Sequence, residues 1–175
     1  MITLQSLFYR LLYRVLTRGR IRFGPGAILL RPELVQIEPG GLLILEAGAV
    51  IARGARVVVR DSVLRIGRGA YVGPGSTLVA YADVTIGDRV LIGERVSVHS
   101  EDHGPVGKRD MFCVSPVAIG ADAWICAGTV ISKGSIVGAG TTVGANSFVR
   151  GELPEHVLAA GSPARVVKSL RPDPA

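Results

Sequence analysis

The sequence predicts an all-β solenoid, a narrow prism wound from short parallel strands. Three observations carry the prediction. Aliphatic residues recur at every sixth position, small or turn-forming residues cluster right after each of them, and hydrophobic residues reach 48% while aromatic ones stop at 5%. The period runs through Leu45, Ile51 and Val57, then Ile66, Val72 and Leu78, then Ile86, Ile92 and Val98. After an interruption it resumes in Ile119, Ile125, Ile131, Val137, Val143 and Val149. Six residues per step match neither the helical nor the simple strand period, and repetition at fixed spacing is the signature of a solenoid. The step fits a short strand followed by a corner, with each aliphatic side chain turned into the prism. Three such sides make one coil, and stacked coils pair their strands in parallel at the usual strand spacing. The repeats provide for about seven coils at most. The corners read IGADAW, VGAGTT and VGANSF, where glycine permits the backbone angles of a tight turn.

At 175 residues the chain is long enough for one domain with its own core, and no linker divides it. We divide it into a helix and lead-in (1–24), the repeats (25–152) and a C-terminal turn and tail (153–175). Residues 3–18 read as a helix, with Leu4, Leu7, Phe8, Leu11 and Val15 on one face, Arg10 and Arg14 flanking it, and Thr3 as the cap. The expected role is to dock over the end of the solenoid and cover its exposed layers; the alternative is a basic amphipathic element resting on a membrane surface. Arginines interrupt its apolar run, no basic region precedes it and no small-residue cleavage site follows, so it reads as neither a signal peptide nor a span.

The formal net charge is +6, but Lys and Arg form no dense tract interleaved with aromatics, which argues against nucleic acid. Cys113 and Cys126 make neither a zinc spacing nor a disulfide framework. The expectation is a cytoplasmic protein, with peripheral contact at the inner face of the membrane if the helix serves that purpose.

Two breaks in the period stand out. The step from Leu78 to Ile86 gains two residues, and the step from Val98 to Ile119 leaves room for a loop near Ser100 to Ser115. That loop region holds His99, His103, Lys108, Arg109 and Cys113, and loops on rigid scaffolds commonly carry function. From its residues alone, His103 reads equally as a base and as a solvated histidine.

The run VTIGDRVLIGERVSVHSEDHGPV (Val84 to Val106), with PVAIGADAWICAGTVISKGSIVGAGTTVGANSFVRGELPEHVLAAGSPARVV (Pro116 to Val167), resembles the hexapeptide-repeat acyltransferases, in particular the galactoside, maltose and polysaccharide O-acetyltransferases. It shares their loop histidine followed by a Gly/Pro turn, their IG-x-x-x-WIG block and their terminal AG-x-PA-[KR]-V-[IV] segment, over roughly residues 45 to 170. The resemblance implies a left-handed parallel β-helix, a hand opposite to that of ordinary parallel crossovers. It also implies a homotrimer, acetyl-CoA as co-substrate and a saccharide hydroxyl as acceptor.

Counted without gaps from VLIG, the family's catalytic histidine falls on His103. The chemistry agrees, because a hydroxyl attacks a thioester poorly near neutral pH without a base such as imidazole. His99 and His156 read as structural or exposed, and Glu101 and Asp102 as a solvated acidic pair rather than as orienters of His103. Trp124 matches the tryptophan that lines the acceptor side of the cleft, and so large a ring must lie outside the prism. Cys126 replaces the glycine of WIG and reads as packing. Ala127 falls where a backbone N–H meets the thioester oxygen, and Ala145 where the pantetheine arm runs. Arg165 matches the basic residue near the CoA phosphates, with Lys168 or Arg150 assisting.

The chain departs from the pattern in three places. A usual Thr-Lys pair is Arg150-Gly151, the N-terminal segment does not resemble the substrate-covering helical module, and an acceptor-contacting Asn is replaced near Gly75 or Ser76. These departures turn the expected acceptor from small free sugars toward exopolysaccharide or lipid-linked glycans. Two other readings of the same fold are a zinc carbonic anhydrase, whose three histidines His99, His103 and His156 do not match in spacing, and a non-catalytic trimeric scaffold. Retention of His103, Trp124 and GSPAR argues against the latter. O- and N-acetylation would use the same base and cleft.

Overall fold

The computed structural model describes residues 4–108 and 110–170, so Thr3 as cap and Arg109 lie outside it. The chain forms a parallel β-solenoid with three faces, carrying 7, 8 and 6 strands. Six full coils stack, and two strands of a seventh close the top. On the first face Ile21 lies beside Leu43, Leu43 beside Leu64, Leu64 beside Val84 and Val84 beside Val117. Parallel pairing extends through the strand Val157–Gly161. The coils therefore begin before residue 25 and continue past residue 152.

All fifteen aliphatic residues of the six-residue period point inward, each at most 2% exposed. A coil that gives the core one such side chain per face must stack on another to keep water out, so the core is a column of layers. Beside this column sit buried residues four positions after most of these aliphatics, small in many of the coils. Among them are the buried hydroxyls of Thr129, Ser135 and Thr141, which donate to the carbonyls of Gly144, Val149 and Pro154 at 3.1, 3.1 and 2.6 Å. The repeat thus selects small hydroxylic residues because they fit the corner and donate to carbonyls at the strand ends, Val149 O accepting from the Ser132 N–H as well.

The two breaks have different causes. On the third face the early strands Leu34–Ile37, Arg56–Val59 and Thr77–Ala80 are four residues long, while Val130–Ile131 and Phe148–Val149 are two. Each of the second and third long strands buries an additional residue, Val59 or Ala80, so the prism narrows toward its C-terminal end. The larger break is an antiparallel hairpin, Glu101–His103 paired with Phe112–Val114. Its base is closed by the Ser115 N–H donating to Ser100 O at 2.9 Å.

One helix, α1 (Leu4–Leu16), lies against the strands Ile21–Phe23 and Ile28–Leu29 of the first coil. It does so with an unexpected face. Tyr13 packs on the core, and the Arg10 guanidinium sits 5.4 Å over the Phe23 ring and donates to Gly24 O. Phe8, Leu11 and Val15, expected to dock over the core, are instead 62%, 66% and 68% exposed. The first coil already closes on itself through Ile21, Leu29 and Ile37, which leaves the helix less apolar surface to cover than the repeat pattern, first legible at Leu45, had suggested.

Candidate active site

The prism edges organise the candidate residues. The hairpin leaves from the edge between the third and first faces, directly after the strand Ser97–His99. His103 stands on its outgoing arm, exposed, opposite Phe112, with ring centroids 5.1 Å apart. Phe112 in turn meets Tyr81 edge-on at 5.1 Å, so an aromatic pair ties the hairpin back to the preceding coil. The reading of the sequence missed both Phe112 and Tyr81. The apolar run MFCV was the one trace of Phe112.

The two acidic neighbours do different work. Asp102 Oδ1 accepts from the backbone N–H of His103 at 2.8 Å. Glu101 turns inward and places Oε1 3.0 Å from Nδ1 of His99, while its buried Oε2 has no partner among the described residues. Glu101 is therefore not a solvated loop acid, as expected, but half of a pair with His99. His156 occupies a corner at φ 54° with its ring over Gly140. Its role there is to fill the turn.

The edge between the second and third faces carries a different set. Glu94, Ala127 and Ala145 stack in successive corners, as Gly128 N–H donates to Glu94 O and Asn146 N–H to Ala127 O, both at 2.9 Å. Ala127 N–H donates to no acceptor among the described residues. Gly93 makes this corner possible: a Cβ there would come within 2.7 Å of the Ala127 nitrogen. Above Glu94 the edge presents the methyl groups of Ala127 and Ala145 beside Gly128 and Asn146, which leaves a narrow track for an extended chain. One coil higher a Cβ on Gly144 would meet the Ala160 methyl at 3.0 Å, and Ala160 pairs with Arg165 on the antiparallel last strand. Ala127, Ala145 and Arg165 are thus brought into one line.

Arg150 and Lys168 fall elsewhere. Arg150 is exposed just past the strand Phe148–Val149, on the hairpin's edge, and Lys168 pairs with Leu158. Trp124 stands on the outside of the second face, 50% exposed, in register with Leu91 and Thr142. Cys126 is half-buried, and burial pushes its thiol up, away from a reactive thiolate. Ser76 is wholly buried, donating to Gly93 O and accepting from Val96 N–H, so it faces no acceptor.

No protein-family model matches the chain. It is 32% identical over 164 residues to a probable acetyltransferase of Mycobacterium tuberculosis, covering 89% of this chain but 52% of the relative, so it spans about half the length of that protein. Against the galactoside O-acetyltransferase of Escherichia coli it is 35% identical over 144 residues, 77% of this chain and 70% of the relative. A putative colanic acid biosynthesis acetyltransferase of the same organism is 30% identical over 122 residues, 66% of this chain and 67% of the relative. Among solved structures, a hexapeptide-repeat acetyltransferase of Vibrio cholerae in complex with acetyl coenzyme A superposes with TM-score 0.69 at 26% identity, over 97% of this chain and 80% of that one. A galactoside acetyltransferase in complex with coenzyme A gives 0.58 at 26%, over 82% and 65%. The repeats, the hairpin histidine and these relatives agree: the chain belongs to the hexapeptide-repeat acetyltransferases, which use acetyl-CoA as co-substrate.

Proposed function

We propose that the chain transfers the acetyl group of acetyl-CoA to a hydroxyl of a saccharide, with His103 as the base, in a homotrimer whose active sites lie between subunits. The observation that carries the reading is the separation of the parts. In one protomer His103 and the Ala127–Ala145 track stand on opposite edges of the third face, so a base and a thioester meet only when the hairpin of one copy approaches the track of another. Threefold packing of prisms along their long axes brings unlike edges together in this way.

The chemistry follows from the groups present. The acceptor hydroxyl attacks the thioester carbon while its proton passes to the imidazole of His103. The carbonyl oxygen gains negative charge and is met by the Ala127 N–H, a fixed donor that needs no reorganisation. Collapse of the tetrahedral adduct breaks the C–S bond, and the departing thiolate takes the proton back from His103. Trp124 offers a flat apolar surface for a sugar ring, and Arg165 a charge for the CoA phosphates. Lys168 and Arg150 are secondary candidates for the same phosphates, Arg150 from the subunit that supplies His103.

The names of relatives favour saccharides, and the colanic acid relative favours a polymer or its lipid-linked precursor over a free sugar. The test is release of the CoA thiol from acetyl-CoA with a panel of oligosaccharides and amino sugars, followed by mass analysis of the product. Saccharide-dependent release with a base-labile ester is expected. Release with amino sugars alone, giving base-stable amides, would replace O-acetylation by N-acetylation.

A further inference from the structure

We propose that the N-terminal end of the prism docks on an anionic lipid surface, with α1 lying in the plane of the interface. No helix among the described residues is long and apolar enough to cross a membrane. α1 instead has the form of one that lies on it. Phe8, Leu11 and Val15, at spacings of three and four, share one face, and with Leu16 each is more than 60% exposed. The opposite side is held to the first coil by Tyr13 and by Arg10 over Phe23. A helix anchored by one side and apolar on the other presents hydrocarbon to whatever meets that end of the molecule.

Charge identifies what meets it. Residues 1–32 contain Arg10, Arg14, Arg18, Arg20, Arg22 and Arg31 and no acidic residue, while the rest of the chain carries 14 basic and 14 acidic residues. The whole net charge of +6 therefore belongs to α1 and the first two sides of the first coil. The nearest acids do not neutralise it, because Glu33 and Glu38 pair instead with Arg56 and Arg60 of the second coil, and Glu46 with Arg65 of the third. None of the ion pairs among the described residues includes Arg18, Arg20 or Arg22. An apolar helix face in an arginine-rich, acid-free segment of an otherwise neutral protein is complementary to a bilayer with acidic headgroups, whose potential attracts basic residues within a Debye length. A second copy of this chain would bring the same positive charge and be repelled there.

The test uses the full chain with sedimented vesicles of phosphatidylcholine alone or mixed with phosphatidylglycerol. Binding to the mixed vesicles only, weakening as salt rises, is expected. The double variant Leu11→Glu/Val15→Glu should bind at least about tenfold more weakly, and Arg18→Ala/Arg22→Ala roughly tenfold more weakly. Acetyl transfer and oligomeric mass should be unchanged in both, since none of these residues belongs to the active site. This separates failure of the docking from failure of the catalytic reading. Absence of binding to the acidic vesicles, or equal binding by the variants, overturns the proposal. Loss of the oligomer in Leu11→Glu/Val15→Glu overturns it too, and assigns the face to a second copy.

Discussion

His99 and Glu101 are partners, with Nδ1 of the one 3.0 Å from Oε1 of the other, and this pairing separates the roles of the two histidines at the hairpin. His99 belongs to the base of the excursion; His103, two residues beyond Glu101, belongs to its exposed arm. His103→Ala is expected to lower kcat by about two to four orders of magnitude, the usual span for a positioned base, with little change in CoA binding. His99→Ala should keep most turnover but lose stability, about 1–3 kcal/mol, because it strips the only described partner from a carboxylate whose other oxygen is already unpaired. Kinetics and thermal melts of the two variants check this. Wild-type turnover in His103→Ala with loss in His99→Ala would reverse the assignment.

Arg165→Ala is expected to raise KM for acetyl-CoA more than it lowers kcat. Arg165 lies a coil beyond Ala145 on the line from Ala127, far along the track from the thioester. A phosphate contact at that distance stabilises ground and transition states nearly equally. Steady-state kinetics at saturating acceptor decide it, and an unchanged KM would remove Arg165 from the site.

Light scattering should show a trimer, and a stable monomer at micromolar concentration would count against the shared site. A sharper check is complementation. His103→Ala removes the base from the hairpin edge, and Ala145→Trp blocks the track on the other edge. Each alone should be inactive, but co-expression with separate tags should restore about a third of the sites in mixed trimers, those formed by the intact edges of two different chains. A site built within one chain would recover nothing.

Arg89 and Asp122 sit on the edge between the first and second faces, in the two coils that the hairpin separates in sequence, and bond twice, at 2.7 and 2.6 Å. The Arg89 guanidinium holds the Asp122 carboxyl below its ordinary range, and burial only partly opposes it. A depressed folded value means that the pair stabilises fully above the unfolded aspartate's titration and fades as pH falls through the folded one. Asp122→Asn should therefore lower Tm at pH 7, modestly for so exposed a pair, and the gap from wild type should close below about pH 4. A gap that persisted at pH 2 would show that the bond is not ionic.

The prism was legible because its period is enforced at every step: Ile119, Ile125 and Ile131 together fill one layer, one from each face, and tolerate nothing polar. The first coil was not, because Ile21, Leu29 and Ile37 are spaced by longer sides, and long strands dilute a six-residue rhythm. His103 could be read from its motif, but the partnership of Glu101 with His99 could not, since it depends on the bend at Ser100 between two strands. The exposed face of α1 shows the limit of amphipathic reasoning. A stripe at helical spacing reveals that a face needs company without saying whether the company is the same chain.

The closure of the hairpin at Ser100 and Ser115 has an evolutionary consequence. Val84 and Val117 lie side by side in perfect register although the excursion separates them in sequence. The prism therefore has no information about how long the excursion is or what it carries. Lengthening, shortening or replacing it would alter the shape presented to an acceptor while leaving every layer of the core in place. A lineage built on this plan can change its sugar by editing one graft and need not refold the trunk.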